Sequence, residues 1–293
     1  MNIFLDCIPC FIRQTLDAVR LVTDDELIHE QLLREVLDLS RGLDLQQTPP
    51  VIGQQIHRRI RRLTNNPDPY LHQKQQQNRL ALELYDLMEP VVRNSKNPLE
   101  NAVRLAIAGN IIDLGVKTSI SDADIQKNVT DSLTVPLDQA MIDEFRSDFE
   151  NARDILYLAD NAGEIVFDRL LIEQLAKKKI TVVVKGSPVI NDATMEDAIS
   201  TGLTKIVPVI DNGSDGPGTI LQTCSDEFLA RFEQADLIIS KGQGNFETLS
   251  EIDKNIYFFL KVKCPVIARH LQVPVGTFFL GRKGVEYAKS IEK

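Results

Sequence analysis

Four stretches in the second half of the chain combine acid, amide and glycine residues, and each follows an apolar run. Asp160-Asn161-Ala162-Gly163-Glu164 follows residues 155–159, and Asn191-Asp192 comes soon after residues 181–184. Asp211-Asn212-Gly213-Ser214-Asp215-Gly216-Pro217-Gly218-Thr219 follows residues 205–210, and Lys241-Gly242-Gln243-Gly244-Asn245-Phe246-Glu247 follows residues 236–240. One such turn is weak evidence, because Asn, Asp and Gly populate ordinary turns for conformational reasons. Four in succession, each at the end of an apolar run, point to a site. Asp carboxylates and an Asn carbonyl are hard oxygen donors suited to Mg²⁺ or Mn²⁺. No histidine lies in these turns to compete. Glycine-rich turns can offer backbone N–H groups to an anion, and Lys241 adds a point charge suited to phosphate. Together these imply a phosphate ester held for hydrolysis. P-loop spacing is missing and no G-x-G-x-x-G follows the first apolar run, which weighs against a kinase or a dinucleotide enzyme.

The elements around these turns alternate strand and helix from residue 155 onward. Strands are expected at 155–159, 181–184, 205–210, 236–240 and 256–260, and further ones at 266–269 and 276–280. Such alternation predicts an α/β fold with a parallel sheet wrapped by helices, and ligands of such sheets bind beyond the carboxyl ends of the strands. The first half reads as helical. Helices are expected over 11–21, from an N-cap at Thr23 to Arg41-Gly42, and over 51–63, 71–93 and 99–114. The change falls near residues 130–150, which suggests a helical part over 1–140 and a catalytic α/β part over 141–293. The helix at 71–93 is polar, with Leu80, Leu84, Leu87 and Met88 as its apolar stripe. Gly109-Asn110 interrupts an apolar helix; it marks either close helix packing or a place where Asn110 and Asp113 face the site. Arg58, Arg59, Arg61 and Arg62 form a basic cluster that is either a solvated face or an anion contact. Cys7 and Cys10 have C-x-x-C spacing, which fits a structural zinc site, a redox pair with thiols acidified near a helix start, or ordinary packed cysteines. His270 reads as structural.

Composition narrows the classes. The 293 residues are 43% hydrophobic and 26% charged, ordinary for a globular chain. A net charge of −9 argues against nucleic acid as a partner. No apolar run approaches the roughly 20 residues of a membrane span. The first residues lack a signal-peptide pattern, and the four cysteines give no disulfide framework, so a cytoplasmic, reducing setting is expected.

The four turns, with Lys185-Gly186-Ser187-Pro188 ahead of Asn191-Asp192, resemble the metal-dependent damage-control phosphatases. That family was once a domain of unknown function and is related to a proposed acidic-residue carboxyl methyltransferase. The likeness extends to Cys7-Ile8-Pro9-Cys10, Asn66-Pro67-Asp68-Pro69-Tyr70 and Gly109-Asn110-Ile111-Ile112-Asp113, and so covers nearly the whole chain. It implies a helical N-terminal part on a Rossmann-like, mainly parallel α/β core. It also implies a divalent metal (Mn²⁺, Ni²⁺, Co²⁺ or Mg²⁺) and a small phosphorylated metabolite, a sugar phosphate or damaged cofactor intermediate, as substrate. By matching motif, the metal ligands would be Asp160, Asn161 and Asp192, with Asp160 and Asp192 doing the chemistry. Phosphorus would be attacked either by Asp160 or by a water activated at the metal. Substrate and phosphate contacts would come from Asn110, Ser214, Asp215, Gly218, Thr219, Lys241, Gln243, Asn245, Glu247 and Lys263. Glu247 stands where relatives carry a basic residue. The alternative reading, an S-adenosylmethionine-dependent carboxyl methyltransferase, lacks the glycine-rich turn expected after the first strand.

Overall fold

A computed structural model describes residues 1–109, 122–175 and 180–283. Its centre is one six-stranded sheet: β1 (Ile155–Leu158), β2 (Ile180–Val184), β3 (Val209–Asp211), β4 (Leu237–Lys241), β5 (Ile256–Lys261) and β6 (Phe278–Arg282). The strand order is β3-β2-β1-β4-β5-β6. The first five strands run parallel, and β6 returns antiparallel to β5. β1, β2 and β4 are buried along their whole length, which is why they read as unbroken apolar runs. The order reverses at β1, with β2 on one side and β4 on the other; in such sheets the carboxyl ends at this point are where a ligand crevice is expected.

The helical half begins with α1 (Cys7–Val22), α2 (Glu26–Arg41) and α3 (Pro49–Thr64), which share a core of Val19, Leu32, Val36, Ile56 and Ile60. α4 (Leu71–Arg93) and α5 (Pro98–Ala108) pack instead into the main core, with α6 (Asp122–Ser132) and α7 (Gln139–Asn151) following. That core joins Ala81, Leu84 and Leu105 to Ile165 and Leu171 of α8 (Glu164–Leu175) and to Tyr157 of β1. Phe145 of α7 sets its ring edge-on to Tyr257 and Phe259 of β5, at 5.2 and 5.1 Å between centroids. The other α-helices among the described residues are α9 (Met195–Ser200), α10 (Asp226–Gln234), α11 (Gly242–Leu249) and α12 (Pro265–Leu271).

Three expectations are corrected. Residues 266–269 form α12, not a strand: Pro265 opens the helix with its fixed φ, and the Cys264 thiol accepts from the Ile267 N–H at 3.5 Å. Residues 205–210 divide into a 3₁₀ turn at Leu203–Lys205 and a late strand, Val209–Asp211. The cap of α2 is Asp25, which accepts from the Leu27 N–H at 2.9 Å, and Thr23 stands two residues earlier, accepting from the Asp25 N–H at 3.2 Å. Among the described residues, no helix is long and apolar enough to cross a membrane.

Phe145→Ala should lower unfolding free energy by about 3–5 kcal/mol in urea melts, because it empties a buried aromatic site between α7 and β5. A loss under about 1 kcal/mol would mean that this contact does not fasten helix to sheet.

Candidate active site

Past Leu158 the chain turns toward the extension of β2. Asn161 pairs with Asp192 in an isolated antiparallel bridge, and Lys185 pairs with Thr194 in a parallel one. The Ala162 N–H donates to Asn191 O and the Ala193 N–H to Asp160 O, both at 2.8 Å. The two acidic-amide pairs, far apart in sequence, are therefore stitched together through their backbones. Asp160, Asn161 and Asp192 are all buried. From the other side, Gly242 at the end of β4 has φ +80°, and a Cβ there would stand 1.9 Å from Asp160 Oδ2. Only glycine allows that approach.

The amide of Asn161 is oriented by charge. Its Nδ2 donates to Asp160 Oδ2 at 2.8 Å and to Glu164 Oε2 at 3.1 Å. An amide oxygen turned to two carboxylates would be repelled, so the nitrogen faces them and Oδ1 faces away. Glu164 is held in turn by Lys241, whose ammonium donates to Glu164 Oε1 at 2.7 Å, Asp168 Oδ1 at 2.6 Å and Ala106 O at 2.7 Å. Three donors meet three acceptors, and the side chain is fully buried. Lys241 thus lies beneath the crevice, which corrects its expected place on a phosphate. Burial opposes its charge, but Asp168 and Glu164 outweigh burial and hold the ammonium above the ordinary lysine range.

The carboxylates above this floor resist ionising. Burial pushes Asp192 up to about 6 even with the Lys185 ammonium beside it. Burial, then the charges of Glu164 and Asp192, push Asp160 well above the usual carboxylate range, against Lys263 and Lys185. Lys185 Nζ stands 3.4 Å from Asp192 Oδ2 and donates to Gly218 O. Asp192 Oδ2 itself is buried without a hydrogen bond. Two buried carboxylates and an outward amide oxygen form a donor set that fits a hard divalent cation. Among the described residues no three His, Cys, Asp or Glu side chains come close enough to hold an ion, so an amide must complete any such set here.

The other expected site residues divide. Gly218, at φ +65°, lies so close to Gly244 that a Cβ would meet its carbonyl oxygen at 2.3 Å, locking the β3 and β4 turns together. Thr219 Oγ1 donates to Asn245 Oδ1 at 2.7 Å, and Asn245 Nδ2 donates to Lys241 O at 2.8 Å. Ser214 Oγ shares a 2.6 Å hydrogen bond with Thr223. These three brace the turns from within. Asp215 faces away, to Arg58 and Arg61 of α3. Gln243 donates to Glu247 at 3.0 Å, and burial pushes Glu247 up to about 7. Lys263 is near enough to Asp160 to favour its ionised form. Asn110 and Asp113 lie outside the described residues, but Gly109 packs directly on Glu164, where a Cβ would meet Cγ at 2.9 Å. Cys7 and Cys10 are unpaired, and burial raises both thiols, the reverse of an acidified redox pair. His270 sets its ring edge-on to Phe246 at 5.7 Å.

Sequence reading missed two features. Lys185 closes an apolar run like an ordinary turn residue, and nothing in the sequence marks it as the partner of Asp192. The polar stripe of α4 is buried: Lys74, Gln77 and Asn78 face inward, while Leu87 is exposed. Asn78 Oδ1 accepts from the Gly163 N–H at 2.7 Å and its Nδ2 donates to Asp197 at 2.9 Å, so α4 clamps the Asp160 turn to the start of α9. Polar residues at helical spacing are the only signal, and they normally mark a solvated face.

An open, mainly parallel α/β sheet with an acid–amide site where its strand order reverses defines the class of protein. The family model for the damage-control phosphatase ARMT1-like domain matches residues 3–277. The chain belongs to that family; it is a phosphatase, and the methyltransferase alternative falls away. A damage-control phosphatase of Pyrococcus horikoshii (PH1575) is 36% identical over 283 residues, covering 94% of this chain and 96% of the relative. An uncharacterized protein of Methanocaldococcus jannaschii (MJ0202) is 40% identical over 285 residues, covering 92% of each chain. The crystal structure of the Pyrococcus horikoshii DUF89 family protein superposes with a TM-score of 0.88 at 34% identity, covering 97% of this chain and 99% of that one. Family membership implies a divalent metal cofactor.

Lys241→Met should cost about 3–5 kcal/mol in denaturant melts, because it strands Glu164 and Asp168 without a buried cation. Wild-type stability with weakened phosphate binding would return Lys241 to the crevice.

Proposed function

We propose that the chain hydrolyses phosphate monoesters of small metabolites, such as sugar phosphates, with a divalent cation held by Asp160, Asn161 and Asp192. The observation that carries this is the Asp192 oxygen buried without a hydrogen bond beside a second carboxylate, Asp160, whose ionisation burial opposes. Mn²⁺, Ni²⁺, Co²⁺ or Mg²⁺ suits the oxygen donors, and such an ion supplies Lewis-acid polarisation of a phosphoryl oxygen when bound. The residues of the chain supply the rest. Asn161 presents Oδ1 because Asp160 and Glu164 hold its nitrogen. Lys263 brings positive charge toward Asp160, where the phosphoryl group would sit. Gly242 lets the end of β4 come up against the Asp160 carboxylate, where a Cβ would stand 1.9 Å from Oδ2. Lys185 keeps Asp192 pointed inward and bridges to the Gly218 turn. Asp160, which faces both Lys263 and Gly242, takes the direct part in the chemistry.

Phosphate release should be measured with a panel of sugar phosphates, each metal in turn, and chelator. Asp192→Asn keeps size and a carbonyl donor but removes one of two charges; activity should fall more than about 100-fold with the melting temperature of the metal-free protein little changed. Full activity of this variant in chelator would exclude Asp192 from the site.

The raised carboxyl groups also set a pH dependence. Folded-state values above the unfolded ones stabilise the metal-free fold at low pH, and that contribution is lost as pH rises through about 6 for Asp192. A cation relieves the same penalty. The rise in melting temperature caused by Mn²⁺ should therefore be larger near about pH 7.5 than near about pH 5. An equal rise at both would detach metal binding from these carboxylates.

A further inference from the structure

The arginines of α3 meet the turns after β2 and β3 across a cavity of about 570 Å³. Its walls include Arg58, Arg61, Arg62, Asn66, Ser187 and Asp215. Arg58 and Arg61 face the Asp215 carboxylate there and Arg62 lines the same wall, although the chain as a whole carries a net charge of −9. Arg58 grips Asp215 through bonds of 2.8 and 2.6 Å, Arg61 adds one of 2.5 Å, and Gln54 donates at 2.7 Å. These bonds outweigh the effect of burial and hold the Asp215 carboxyl below the usual range. Arg61 also donates to Pro188 O at 2.6 Å, which ties α3 to the β2 turn. Arg62 pairs with Glu35, outside the cavity. Each guanidinium has five N–H donors, so these bonds leave several of them for a ligand. Arg58 and Arg62 side chains are 53% and 63% exposed.

One wall of the cavity, Ser187-Pro188, belongs to the loop that runs from the end of β2 to Asp192. Ser187 lies two residues beyond Lys185, whose ammonium faces Asp192. β3 is two strand spacings from β1, about 10 Å, the span of a sugar-sized molecule. The geometry points to a second anion site: a phosphate or carboxylate at the far end of the substrate docks on Arg58, Arg61 and Arg62. Asp215 is the internal anion that preorganises the guanidinium groups and competes with the ligand. The preferred substrates are then small phosphate esters that carry a second anionic group. Their identity as substrates rests on the phosphatase reading above; anion binding by the cavity does not.

Calorimetric titration of the full chain with inorganic phosphate, in chelator and low salt, tests the cavity by itself. Wild type should bind, Arg61→Gln should bind about tenfold more weakly, and Asp215→Asn should bind more tightly. Opposite signs are the signature, because a purely structural ion pair would weaken the protein through either change. Arg62→Gln replaces Arg61→Gln if that variant fails to fold. In a kinetic arm, KM for a sugar bisphosphate should rise about tenfold in Arg61→Gln while KM for the matching monophosphate stays within about twofold. No phosphate binding by wild type, or equal binding by wild type and both variants, overturns the anion site. If no ester is hydrolysed by the metal-loaded wild type, the proposed function falls and calorimetry still decides the cavity.

Discussion

The structure turns on an excess of buried negative charge. Asp160, Glu164, Asp168 and Asp192 lie under the carboxyl edge of β1, β2 and β4; buried Lys185 pairs with Asp192, and buried Lys241 pairs with Glu164 and Asp168. An ionised carboxylate without a partner in a low-dielectric interior costs several kcal/mol, so four buried acids in one place need cations to offset them. The fold resolves the conflict in two layers. In the floor, Lys241 satisfies Glu164 and Asp168, and the Tyr157 hydroxyl donates to Asp168 at 2.7 Å. In the layer above, burial outweighs Lys185 at Asp192, and at Asp160 burial, Glu164 and Asp192 outweigh Lys263 and Lys185. The lower layer is an internal structural ion cluster; the upper one is short of a cation.

This division explains why the helical half is joined so closely to the sheet. Gly109 of the α5 cap rests on Glu164, and the Ala106 carbonyl completes the shell of Lys241. α4 reaches the same turn through Asn78. α3 fixes the β3 turn through Asp215, and Gly53 lets it press on Pro217, 3.0 Å from where a Cβ would be. Each helix supplies polar groups that the site needs and cannot obtain from the sheet alone.

Much of this was readable in the chain. The parallel sheet follows from unbroken apolar runs, and the turns after them were placed correctly because glycine, acid and amide residues crowd the ends of strands. Lys241 was misread, although strand alternation contained the answer. Leu237 and Ile239 belong to the core that faces α5 and α8, so Lys241, two further on, points to that face and not into the crevice. Val266-Ile267-Ala268 looked like strand because β-branched residues dominate it; the proline before it decided for helix. The buried polar stripe of α4 was not legible, since Lys74, Gln77 and Asn78 are inside only because Asp197 and the Asp160 turn are there to receive them. The arginines of α3 could not be assigned for the same reason: Asp215 and Glu35, distant in sequence, decide what they face.

The most direct measurement is anomalous diffraction from crystals grown or soaked with Mn²⁺. The account predicts a single strong peak bounded by the Asp160 and Asp192 carboxylates and the Asn161 amide oxygen, lost in Asp192→Asn crystals. A peak elsewhere, for example beside Cys7 and Cys10, with none between Asp160 and Asp192 in active, metal-loaded protein, would contradict it.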